Sequence, residues 1–268
     1  MNIISCDVGW KTGGKRNAVA VATEDWKITY LRKGLDDDQL ISLVCELAEP
    51  KSLILLDIPI EGCVKLKGPR RPIEDALQHY ISLYPASMAC KMAPDRGKQL
   101  KEKLLKSMDS EGKRSVIIKE VYPHAVYKFL WFAKEKGKLA KLQKGEWQNL
   151  LDESFRLSKS VPPSYKRKTK GERLKGMNEL YDFLNGYPGL IFVKSLDPPN
   201  SCYTCSDLEL LADQYDACLG AIVGLYCVTS NPFALIAGDM YQGEMLLFAD
   251  RWLKERLEES RISMKHLF

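Results

Sequence analysis

The run Ser52–Leu56 (SLILL) is continuous, apolar and of strand length, and it ends in Asp57. A strand with one wet face alternates apolar and polar residues, whereas a strand apolar throughout has to be covered on both faces. This run therefore predicts a layered α/β fold with helices on both sides of a central sheet. The flanking sequence agrees. Asn2–Val8 reads as a short apolar strand carrying Asp7, and Gly9, Gly13 and Gly14 mark a turn suited to positive φ. Ala18–Thr23 and Lys27–Arg32 follow as strands joined at Glu24 and Asp25. Asp36–Glu49 then places Leu40, Leu43, Val44 and Leu47 at helical spacing, with acids at its start and Pro50 as its stop.

Farther along, a helix is predicted over Pro72–Tyr84, with Pro72 in its first turn, where a missing amide costs little. Pro85–Arg114 shows no clear pattern. Ser115–Tyr122 has the β-branched density of another strand and carries Glu120. Ser206 begins the clearest helix: Ser206 and Glu209 read as a capping box, and Leu208, Leu211, Tyr215, Leu219 and Ile222 recur at core spacing. Gly238–Asp250 reads as a short β element and Arg251–Ser260 as a terminal helix.

The net charge of +5 hides an asymmetry, because Lys91–Lys175 holds 23 Lys and Arg against 10 Asp and Glu, while the rest holds 17 against 25. An acidic scaffold with a basic centre is the arrangement expected when a polyanion is held near a carboxylate site. Within that region Lys166, Arg167, Lys168, Lys170 and Arg173 are the candidate nucleic-acid contacts, with Tyr165 available to stack on a base. A basic helical insertion is expected at about 125–200 of a single domain, 1–268. Ala217–Val228, the most apolar stretch, is too short to span a bilayer, and the first residues lack a basic region ahead of an apolar core. Eight scattered cysteines suit a reducing compartment, so a cytoplasmic protein without a membrane partner is expected. Cys202 and Cys205 form a lone C-x-x-C; a structural zinc site needs four ligands, and two ordinary thiols ahead of a helix are the simpler reading. His124 reads as a boundary histidine or a phosphate contact. Neither G-x-S-x-G nor G-x-x-x-x-G-K-[ST] occurs.

Five acids sit at element boundaries: Asp7 and Asp57 on strands, Glu120 on the β-branched strand, and Asp213 with Asp216 at i, i+3 on one helix face. Carboxylates brought together repel unless protonated or bridged, and hard oxygen ligands select Mg²⁺ or Mn²⁺. Two such ions can activate water and stabilise the leaving oxygen of a phosphodiester. Asp7, Asp57, Asp213 and Asp216 are the candidate metal ligands, and Glu120 is a candidate auxiliary acid. The order of strand Asp, hairpin, strand, helix, strand Asp, helix, strand and late D-x-x-D helix is that of the ribonuclease-H-like fold. A mixed five-stranded sheet with flanking helices is therefore expected.

The chain also resembles the family known as domain of unknown function 429, described as predicted ribonuclease-H-like nucleases. The matching pieces are Cys6 to Trp10, Leu56 to Ile60, Arg71 with Asp75, Glu120 to His124, Lys170 to Arg173, Asp213 to Ala217, and Gly243 with Glu244. Tyr122 stands where that family usually carries His. The resemblance implies metal-dependent hydrolysis of nucleic acid. Two other classes stay open: an actin-like ATPase, suggested by Asp7-Val8-Gly9 followed by Thr12-Gly13-Gly14, and a non-catalytic nucleic-acid-binding protein. The latter has no need for converging carboxylates.

Overall fold

The computed structural model describes residues 1–11, 13–63, 70–83, 93–110, 112, 115–146, 160–166, 169–239, 241 and 243–268. Thr12, Tyr84, Arg167 and Lys168 of the expectations above lie outside them. β1 (Asn2–Asp7), β2 (Asn17–Thr23) and β3 (Lys27–Leu35) form an antiparallel meander. After α1 (Asp37–Leu47), β4 (Leu53–Asp57) pairs parallel with β1. Then come α2 (Pro72–Ile81), α3 (Arg96–Ser110) and β5 (Ile117–Val121), which pairs parallel with β4. α4 (Pro123–Glu135), α5 (Leu139–Gln143), α6 (Lys170–Asn185), β6 (Ile191–Phe192) and the long α7 (Cys205–Val228) follow. The chain closes with the hairpin β7 (Ala234–Asp239) and β8 (Gly243–Phe248), α8 (Arg251–Glu259) and β9 (Met264–Lys265).

The nine strands among the described residues make one mixed sheet in the order β6-β3-β2-β1-β4-β5-β8-β7-β9. The five expected strands are its centre, but the sheet is nearly twice as wide as expected. The element foreseen over Gly238–Asp250 is a full hairpin whose second strand pairs parallel with β5, and β6 adds to the open edge of β3. No helix among the described residues is long and apolar enough to cross a membrane.

Side-chain alternation on the central strands divides the core in two. Along β4, Leu53 and Leu55 enter one cluster while Ile54 and Leu56 enter the other. β2 repeats the division with a difference in size, setting Ala18, Ala20 and Ala22 on one face and Val19 and Val21 on the other. The valine face is covered by α1 and α3 through Leu40, Val44, Leu100 and Leu104. The alanine face receives α7, and the small side chains let it come close. A Cβ on Gly220 would sit 2.1 Å from Ser5 Oγ, and one on Gly224 would sit 2.4 Å from Ile3 Cγ2.

Three local readings shift. The α7 cap is Thr204 with Asp207, which exchange bonds of 3.2 and 2.8 Å, two residues before the Ser206 and Glu209 pair. Overlapping T-x-x-D and S-x-x-E patterns offered both, and Glu209 serves elsewhere. α2 ends at Ile81 because Ser82 turns left-handed, at φ 51°. The segment expected as a basic insertion is part of the core: α4 buries Val126, Tyr127, Phe129 and Leu130, and α6 buries Met177, Leu180 and Phe183 against α7. Apart from the buried Lys128, its described Lys residues lie toward solvent, on helices whose inner faces are apolar. Cys6, Cys202, Cys205, Cys218 and Cys227 are thiols, whereas Cys63 is disulfide-bonded.

Gly→Ala in a helix interior ordinarily gains about 1 kcal/mol. Gly224→Ala should instead cost about 1–3 kcal/mol, because the added methyl meets the fully buried Ile3. Urea unfolding measures the difference, and an unchanged or higher midpoint would show that α7 does not bear on β1 as described.

Candidate metal centre

Asp7 and Asp57 are in-register partners at the carboxyl ends of the parallel strands β1 and β4. They continue the rows Ile3–Ser5 and Leu53–Leu55, so both point to the face that α7 covers. The ligand crevices of open α/β sheets lie at such strand ends. α7 brings the third carboxylate. Asp216 stands one turn before Gly220 and two before Gly224, on the side of the helix that touches the sheet. One carboxylate oxygen from each of Asp7, Asp57 and Asp216 lies within 4.8 Å of the others. These are hard oxygen donors, placed so that they could hold a metal ion.

Such closeness is electrostatically costly. Burial, reinforced by Asp213 and then Asp57 and Asp216, raises the Asp7 carboxyl well above the ordinary range. Asp57 is pushed up to about 7 by burial and by Asp216. The main relief is Lys166. Its ammonium lies 2.5 Å from Asp216 Oδ2, although 42% of the side chain stays accessible. Burial works against that charge, but Asp216, Asp7 and Asp57 together hold the Lys166 pKa well above its usual value. Tyr165, expected at the surface as a stacking platform, is buried and donates its hydroxyl to Asp216 Oδ1.

Asp213, one turn earlier, faces a different cation. Arg16 Nε donates to its Oδ2 at 3.1 Å, and Arg16 Nη1 reaches Glu209 at 2.7 Å. Arg173 binds the other oxygen of Glu209 at 3.0 Å. Two of the expected nucleic-acid contacts thus have intramolecular partners, Lys166 with Asp216 and Arg173 with Glu209, while Lys170 is exposed at the start of α6.

Glu120 lies on β5 beside Asp57 but does not join the cluster. Its oxygens accept from Arg71 at 2.7 and 2.5 Å and from the Ile60 amide at 3.1 Å. Arg71 is fully buried and also binds Glu74 and the Glu61 carbonyl. Glu120 therefore anchors the loop after β4 through Arg71.

The turn after Asp7 is fixed by a closed ring of bonds. Gly9 N–H donates to Asn17 Oδ1 at 2.9 Å, Asn17 Nδ2 donates to Asp37 at 3.1 Å, and Arg96 forks onto Asp37 at 2.9 and 2.8 Å. Arg96 Nε closes the ring on the Gly9 carbonyl at 2.6 Å. Sequence reasoning missed Asn17, Asp37 and Arg96 in this role, and Arg16 as the partner of Asp213. His124 is sandwiched between Tyr122 and Tyr165, with centroids 5.8 and 5.3 Å away, and burial depresses its pKa to about 4 despite Asp216 nearby. It is therefore neutral at pH 7.

Of these groups, Asp7, Asp57, Asp213, Lys166, Glu120 and His124 line a cleft of about 630 Å³ together with the exposed Trp10, Lys11 and Arg16, whereas Asp216 is fully buried behind it. The raised Asp57 pKa has a stability consequence in metal-free protein. The unfolded carboxyl titrates near ~3.9, so the native state binds the proton more tightly, and stability is lost as pH rises from about 4 to about 7. Asp57→Asn should abolish that loss, leaving the variant more stable than wild type by roughly 4 kcal/mol above pH 7 and about equal near pH 4. Thermal melts across this range in EDTA test it; a gap independent of pH would mean that Asp57 is not under this repulsion. No protein-family model, curated protein or solved structure matched the chain, and its function is read from the chemistry of this cleft.

Proposed function

We propose that this chain is a divalent-cation-dependent hydrolase of nucleic-acid phosphodiester bonds built on a ribonuclease-H-like core. The observation that carries the reading is the convergence of Asp7, Asp57 and Asp216 from two parallel strand ends and one helix. A binding module has no use for that arrangement, since repelling buried acids are destabilising unless a cation joins them. The central order β3-β2-β1-β4-β5, with the third acid on a late helix, supports the fold assignment. So does the motif resemblance to the domain of unknown function 429 family.

In this reading Asp7, Asp57 and Asp216 hold Mg²⁺ or Mn²⁺. The cation supplies a Lewis acid that activates water and stabilises charge on the phosphoryl oxygens. Water adds to phosphorus, one P–O ester bond breaks, and the products are a phosphomonoester and a free hydroxyl. Arg16 and Lys11 at the rim offer positive charge to flanking phosphates, and Trp10, 37% exposed, offers a face for an unstacked base. The ring through Arg96 keeps the Asp7 turn rigid. Glu120 acts at a distance by holding Arg71 and the Ile60 loop.

Incubating the protein with single- and double-stranded DNA and RNA plus Mn²⁺ or Mg²⁺ tests the reading. Cleavage should require the cation, stop in EDTA, and fall by at least about 100-fold in Asp7→Asn, whose metal-free thermal stability should hold or rise. Cleavage of none of these substrates, or cleavage indifferent to Asp7→Asn, would defeat it.

A further inference from the structure

Resting on the metal-dependent reading above, we propose that Lys166 is the second cation of this site: its ammonium stands in for one of the two ions such acid clusters hold, so the protein takes a single divalent ion.

The ammonium is placed by the architecture. Tyr165, the preceding residue, is buried with its ring against His124 and Tyr127 and its hydroxyl on Asp216. The backbone before it is clamped on α6 at Gly176, where a Cβ would lie 2.2 Å from Ser164 O and 2.9 Å from Tyr165 N. With its stem fixed at this point, Lys166 meets Asp216 Oδ2 at 2.5 Å. Asp216 is fully buried: its Oδ1 accepts from the Tyr165 hydroxyl, while its Oδ2 makes no hydrogen bond among the described residues and is offset by the ion pair with Lys166.

Charge balance selects one ion. Asp213 is paired with Arg16 at 3.1 Å, which leaves Asp7, Asp57 and Asp216 as the converging charges. Lys166 and one divalent cation balance three carboxylates. A second divalent cation would leave two uncompensated positive charges beside the buried carboxylates of Asp7 and Asp216, an arrangement that burial penalises. Lysine suits the role because its ammonium is a compact point charge with three donors, able to face a carboxylate and a phosphate oxygen together. Lys166 thereby acts as a positioning residue: it orients Asp216 and sets how many ions the acids accept.

The test is Mn²⁺ binding to the full chain, followed by electron paramagnetic resonance. Wild type should bind one Mn²⁺ per chain and show an uncoupled mononuclear spectrum. Lys166→Ala should bind two and show the multiline spectrum of a spin-coupled pair, whereas Lys166→Arg, which keeps the charge, should remain at one. Lys166→Met keeps the stem without the charge and takes the place of the alanine variant should that variant fail to fold. Two ions in wild type, or one ion in the uncharged variant, would overturn the assignment of Lys166 while leaving the metal reading standing. No bound Mn²⁺ in wild type would bring down the metal reading itself, and this inference with it.

Discussion

The close contact of α7 with the central sheet is the constraint on which the rest depends. Gly220 and Gly224 present no side chain to Ser5 and Ile3, and β2 offers Ala18, Ala20 and Ala22 on the same face. Larger residues at these positions would lift the helix away. Asp216 is one turn from the first of these glycines, so the packing that closes the core also carries a carboxylate to the ends of β1 and β4. Packing and site are one arrangement. The repulsion it creates is offset by groups from two other parts of the chain: Tyr165 and Lys166, which meet Asp216, and Arg16, which pairs with Asp213.

Two buried arginines hold the loops at the strand ends. Arg96 ties the turn after Asp7 to Asp37, and Arg71 ties the loop after Asp57 to Glu74 and Glu120. Buried ion pairs of this kind are weak evidence for net stability, since desolvation consumes most of the attraction, but removing one partner strands a charge. Their contribution here is geometric. Each fixes the backbone within a few residues of a cluster carboxylate, and neither competes for the carboxylate itself.

Much of this was legible locally. The unalternating run that ends in Asp57 called for a sheet covered on both faces, and the two core clusters meeting across β4 are that prediction realised. Asp7, Asp57 and the D-x-x-D pair were also readable, because strand ends and helix faces are local patterns. What sequence left undecided was which of Asp213 and Asp216 joins the cluster; Arg16, 197 residues from Asp213, decides it. Arg96 was invisible for the same reason, its partners lying 59 and 87 residues away and leaving no periodic trace. Lys166 was read as one of a run of nucleic-acid contacts. Composition records that a lysine is present, whereas the direction of its ammonium depends on Tyr165 being buried, and no spacing rule reports that.

The central claim is that α7 and the two strand ends together form a cation site. Anomalous diffraction from crystals grown with Mn²⁺ tests it most directly. The account predicts an anomalous peak bounded by the carboxylates of Asp7, Asp57 and Asp216, with Glu120 still on Arg71. No peak among the three carboxylates, with Mn²⁺ bound elsewhere or not at all, would contradict it.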